Sequence, residues 1–239
     1  DLWSGHVDQL LEFVTGIASG RRDARTALLA FGDQEPPAVK AADLLPRYHL
    51  HPPHEEPVLQ PLDPDLLRER LVAIPATPGG DFVDALADAL EACTRLRWRD
   101  AARKVVLLSG DSPGFSLLYP LPKGADLCVR RRDVDSQALA LHRLGVEIVT
   151  IYHAPAAELG LYEIPFQRDL LLGALAQYAR LASLPEMAFE AASFRPAKAA
   201  ERLGRSGDAI ARGAALGELV RIAGEPGETV ETAATSGEP

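Results

Sequence analysis

Two runs of consecutive, mainly apolar residues, Lys104 to Leu108 and Val146 to Tyr152, constrain this chain more than any other feature. A strand with one wet face alternates apolar and polar side chains. A run without that alternation is covered on both faces, as parallel strands flanked by helices are. Between the two runs, Asp133 to Leu144 carries helical periodicity, and Gly145 follows where a helix C-cap glycine belongs. This strand–helix alternation predicts an α/β fold with a largely parallel sheet covered on both sides.

The rest of the chain extends the pattern. Val7, Leu10, Leu11, Val14 and Ile17 recur at helical spacing, so Gly5 to Ser19 reads as an amphipathic helix. Thr26 to Phe31 is a short apolar run ended by Gly32-Asp33 and predicts a buried strand. Gln34 to Pro64, rich in proline and histidine, reads as a long loop with a short edge strand at Tyr48-His49-Leu50. Pro64 to Ile74 is a helix with its proline at the start. After the turn Pro78-Gly79-Gly80, Asp81 is placed to cap a helix that aligns Phe82, Leu86, Leu90 and Cys93. Gly110 to Lys123 is irregular. A long helix from Phe166 to Leu181, a weak strand at Met187 to Phe189 and two alanine-rich helices complete the order. The expected organisation is one domain over 1–204, a helical extension over 205–223 and an acidic tail over 224–239 whose apolar content is too low to pack.

Composition narrows the function classes. Of the 239 residues 47% are hydrophobic, enough for a core, and the net charge of −9 argues against nucleic-acid or anionic-membrane binding, both of which need a basic footprint. No apolar stretch approaches the ~20 residues of a membrane-spanning helix. Cys93 and Cys128 share no metal-type spacing and read as reduced thiols, so a cytoplasmic protein is expected.

Several residues invite chemistry. Gly110-Asp111-Ser112-Pro113-Gly114 has the form Gly-x-Ser-x-Gly and follows a strand, as a hydrolase nucleophile would. That elbow needs a helix directly after the serine, and Pro113, Gly114, Pro120 and Pro122 break one. His142 and His153 are available bases, but no residue marks an acid to orient them. A serine hydrolase built on Ser112 is therefore the alternative reading, and a non-enzymatic one is preferred. His49, His51 and His54 with Glu55 and Glu56 could clip a zinc ion, although a proline-broken loop leaves their geometry unfixed and an exposed polar loop is the plainer reading. Arg130-Arg131-Arg132 reads as a solvated face. Trp98 is expected to pack against the sheet, Asp33 to serve as a turn residue and Asp81 as an N-cap contributing ~1 kcal/mol.

Taken together, three stretches resemble the von Willebrand factor type A (VWA) family. Arg25 to Asp33 resembles its second strand, which ends in a glycine–aspartate turn. Gly79-Gly80-Asp81 through Leu86 resembles the Gly-Gly-Asp loop and helix of a bacterial and alpha-kinase-associated branch. Trp98 to Leu108, then Gly110-Asp111-Ser112-Pro113, resembles that branch's Trp-x-x-x-Ala-x-Lys-Val strand with its Asp-Ala-Pro end. Leu144 to Ile151 is similar to the next strand, and the likeness extends over about Gly5 to Gly204.

The resemblance implies a three-layer α/β sandwich with a Rossmann-like sheet and a C-terminal helical extension. It implies a protein–protein interaction module of a bacterial multi-component system, binding through the loops at the carboxyl ends of the strands, where open α/β sheets take ligands. In this family three loops hold a divalent cation. Asp111 matches the third-loop aspartate and Asp81 the second-loop position. Asp1-Leu2-Trp3-Ser4 does not supply the first loop's Asp-x-Ser-x-Ser spacing. No cofactor is therefore expected, and Mg2+ would bind Asp81 and Asp111 only if an upstream first loop completed the set. The partner-binding face is expected around Asp33, Asp81 and Asp111, with another protein as partner. The family's strand before the first helix lies between its second and fourth strands, so direct pairing of Thr26 with Lys104 would contradict the resemblance.

Overall fold

The computed structural model describes residues 2–31, 58–74, 85–117, 132–155 and 160–204. In chain order they form α1 (Leu2–Ala18), β1 (Arg25–Thr26), β2 (Gln60–Pro61), α2 (Pro64–Val72), α3 (Leu86–Thr94), β3 (Lys104–Gly110), α4 (Val134–Arg143), β4 (Val146–Tyr152), α5 (Pro165–Leu181) and β5 (Ala188–Glu190). A further helix occupies 196–204. By its internal contacts the chain divides into Asp1–Gly204 and Arg205–Pro239, and the second unit lies outside the described residues.

Helix and sheet alternate, and the main sheet is parallel, as the two apolar runs predict. β3 pairs with β4 over seven residues, from Lys104 opposite Val146 to Gly110 opposite Tyr152, and β4 pairs with β5 from Thr150 opposite Ala188. All seven residues of β4 are buried. Side chains alternate across a strand, so Val146, Ile148 and Tyr152 share one face. They pack with Leu90 of α3, Leu141 of α4 and Tyr178 of α5. The other face of β4 carries Glu147, held by Arg103, whose guanidinium also donates to the Leu203 carbonyl. Just beyond the strand, His153 lies on that same side and meets His6 of α1. Apolar contacts reinforce this second face: Phe13 of α1 lies 5.8 Å from Phe194, and both rings are fully buried.

The helix ends follow local chemistry. The Asp133 carboxylate caps α4 by accepting from the Ser136 backbone N–H at 2.8 Å, and Gly145 takes φ +71° just beyond its end. Asp63 caps α2, with Pro64 in the first turn. Trp98 packs against the core as expected, and its Nε1–H donates to the Cys93 carbonyl at 2.9 Å. Burial pushes the Cys93 thiol up to about 11, so it stays protonated and acts as an apolar group.

Three expectations need correction. Of the predicted strand over 26–31 only Thr26 joins a ladder, in which Arg25–Thr26 runs antiparallel to Gln60–Pro61. Apart from an isolated bridge at Ala30, residues 27–31 carry no ladder among the described residues. α3 begins at Leu86 with Ala85 in the cap position and no side-chain cap, so this helix starts later than the sequence suggests. Asp81 itself lies outside the described residues, as does the edge strand expected at 48–50. Arg132 is not a solvated cation: it is half-buried and pairs with Glu91 and, at 2.9 Å, with the buried Asp88 of α3. The two strands whose direct pairing would contradict the resemblance, at Thr26 and Lys104, are not paired.

No helix among the described residues is long and apolar enough to cross a membrane.

Candidate functional site

β3 and β4 end side by side, and their last residues bring together the polar groups of greatest interest. The His153 N–H donates to the Gly110 carbonyl at 2.9 Å, which continues the ladder one step past β4. On the α1 side of the sheet, Ser109 Oγ lies 2.8 Å from His153 Nε2 and 3.0 Å from His6 Nε2. The two imidazole rings meet edge to face with centroids 4.0 Å apart. A hydroxyl has one proton, so Ser109 can donate to only one of the two Nε2 atoms, and at least one ring must present an Nε2–H to it.

Burial disfavours the charged form of both rings. Burial, together with the His153 ring beside it, lowers His6 to about 4, against a hydrogen bond to Gln9 that works the other way. Burial also lowers His153. Between the ordinary histidine value of about 6.5 and the depressed values in the fold, the unfolded chain binds protons that the folded chain refuses. Stability conferred by this cluster is therefore complete above pH 6.5 and falls as the pH drops toward 4. The urea midpoint should decline between pH 7.5 and pH 4.5, and His6→Leu should flatten that decline. A midpoint that stays constant over this range would show that the rings titrate normally in the fold.

The loop that follows β3 is held firmly. Gly114 is buried, its N–H donates to Gln177 Oε1 at 2.7 Å, and its carbonyl accepts from Gln177 Nε2 at 2.9 Å. Three residues on, the Leu117 N–H donates to Asp133 at 2.8 Å. Ser116 donates to Asp135, which also takes both an Nε and an Nη bond from Arg180. Glycine is required at both bends. A Cβ on Gly110 would lie 2.2 Å from the Tyr178 hydroxyl, and one on Gly114 would lie 2.6 Å from the Val134 side chain. The effect is to hold Asp111 exposed at the rim, between the end of β3 and a pinned loop.

Of the predicted partner-binding residues, Asp111 stands at the strand ends, whereas Asp33 and Asp81 lie outside the described residues. His49, His51, His54, Cys128, Arg130 and Arg131 also lie outside them. Ser112 donates to Asp111 Oδ1 at 3.2 Å, while His153 is engaged with Ser109. His142 is exposed near the end of α4. The sequence reading passed over His6 and Ser109. Their signals were present: His6 falls three and four residues from Gln9 and Leu10 on the buried face of α1, and Ser109 interrupts an apolar strand one step from its end.

Magnesium asks for six oxygen ligands in near-octahedral geometry. Asp111 offers one carboxylate there, and among the described residues no group of three or more His, Cys, Asp or Glu side chains is placed to hold a metal ion. The described residues alone therefore do not fit a magnesium site. No family model matches the chain, and no curated protein matches it in sequence.

Proposed function

We propose that this chain is a VWA-like binding module that engages another protein through the loops at the carboxyl ends of β3 and β4, and that it is not an enzyme. In this reading the parallel sheet is the central layer of a three-layer sandwich, between α3, α4 and α5 on one face and α1 with the 196–204 helix on the other. The observation that carries the reading is Asp111: an exposed carboxylate directly after a central-type strand, on a loop fixed at Gly114, Ser116 and Leu117. A charged group on a pinned loop loses little freedom on binding, which is what an interaction site needs. Ligands of open α/β sheets gather at this end of the strands. The fold analogy does not by itself give the function, and the partner belongs to the multi-component system that the resemblance implies only as an expectation.

A footprint tests the location. With a partner captured from native lysate and purified, amide exchange should slow at 110–117 and 153–155 and stay unchanged along α2. Slowing confined to α2 and β2 would place the interface elsewhere.

A further inference from the structure

Two imidazoles carried by different elements converge on one hydroxyl, on the α1 side of the sheet. His6 Nε2 lies 3.0 Å and His153 Nε2 2.8 Å from Ser109 Oγ. Each donor is held by regular structure. His6 sits within α1 and Ser109 within β3, and His153 directly follows β4 with its backbone N–H on the Gly110 carbonyl. Donor atoms mounted on helices and strands keep their geometry before a ligand arrives, whereas a loop would first have to be ordered. Ser109 is also the polar residue that follows the apolar run Val105 to Leu108, one step from the end of the strand.

The donor atoms select the ion. A neutral imidazole offers a nitrogen lone pair, which suits zinc, copper and nickel, whereas magnesium and calcium take oxygen ligands. Burial keeps both rings neutral at pH 7, so protons compete little for those lone pairs. A zinc-bound nitrogen lies ~2.0–2.1 Å from the ion, so neighbouring ligand atoms in a tetrahedral shell stand about 3.3 Å apart. The two Nε2–Oγ distances therefore need to open by only a few tenths of an ångström. The edge-to-face ring contact, at 4.0 Å between centroids, loosens with them. A ring that presents Nε2–H to Ser109 moves that proton to Nδ1, a change of tautomer that leaves its charge unchanged. Ser109 and His153 are half-buried, so water can complete the shell.

We infer that His6 and His153, with the Ser109 hydroxyl and water, form a binding site for a zinc-class divalent ion, Zn2+, Cu2+ or Ni2+ rather than Mg2+. Two nitrogens and a hydroxyl are fewer strong ligands than a structural zinc site has, so the affinity is micromolar rather than nanomolar. The bound ion ties α1 to the carboxyl ends of β3 and β4. This inference concerns the α1 side of the sheet and stands independently of what Asp111 binds.

The test is zinc titration of the full chain at pH 7.5, beside a control chain in which His49, His51 and His54 are changed to glutamine. Those three lie outside the described residues and could take zinc by themselves. The control should keep the site, and zinc at tenfold its dissociation constant should raise the unfolding temperature by roughly 3 °C or more. Magnesium at the same concentration should leave it unchanged. His6→Gln and His153→Gln, each placed in the control chain, should weaken zinc binding roughly tenfold or more. Copper supplies a signature that folding alone would not move. The Cu2+-loaded control should show nitrogen splitting from two imidazoles by electron paramagnetic resonance, and His153→Gln should reduce it to one. Zinc affinity unchanged in both histidine variants would overturn the inference, as would a control chain that binds no zinc. If a histidine variant does not fold, the copper spectrum of the control decides, and splitting from fewer than two nitrogens overturns the inference.

Discussion

Replacing Gln177 with leucine should cost about 2–3 kcal/mol of stability, although leucine is the more apolar side chain. Gln177 is 3% exposed and spends its whole amide on Gly114, accepting from the N–H at 2.7 Å and donating to the carbonyl at 2.9 Å. Leucine leaves both backbone groups buried without those partners, at about 1–3 kcal/mol each, and its added apolar burial returns only part of that. For a domain of this size the loss corresponds to a fall of roughly 5–10 °C in the unfolding midpoint. Thermal unfolding of Gln177→Leu beside the parent chain measures it. A fall below about 1 °C would show that the loop after β3 is fixed by Asp133 and Asp135 alone, and that Gln177 merely fills space.

The prediction matters beyond stability because Gln177 sets the loop that carries Asp111. It also shows which parts of this molecule can be read from one dimension. β3, β4, α4 and α5 were legible because each announces itself locally. The two strands are mainly apolar runs, α4 has Asp133 before it and Gly145 after it, and α5 buries Leu170, Leu171, Ala174, Tyr178 and Leu181 at helical intervals. The features that escaped depend on residues far apart in sequence. Thr26 to Phe31 has strand composition, but a ladder also needs a neighbour, and among the described residues the ladder takes in its first residue alone, opposite Gln60, with an isolated bridge at Ala30. Arg132 looks solvated within its arginine run, yet its partner Asp88 lies 44 residues earlier, on a helix that packs against α4. His6 and Ser109 are 103 residues apart, and nothing local to either predicts the meeting. Asp111 was legible as a residue at a strand end. Its rigid setting was not, because Gln177 is 63 residues away from Gly114.

Replacing Asp111 with alanine tests the central claim most directly, through the affinity of a captured partner for the parent chain and for Asp111→Ala, each with and without EDTA. The exposed carboxylate can meet a partner's basic group directly or through a bridging cation, and the two cases respond differently. A bridging cation makes binding depend on both the carboxylate and the metal, so the substitution and the chelator would each abolish it. Direct pairing depends on the carboxylate alone. Because Asp1-Leu2-Trp3-Ser4 does not supply the Asp-x-Ser-x-Ser spacing of a first metal loop, the account predicts the second pattern. Asp111→Ala should weaken binding by about 1–3 kcal/mol, roughly five- to 150-fold, and EDTA should change nothing. Undiminished binding by Asp111→Ala in both conditions would contradict the account and move the interface away from the strand ends.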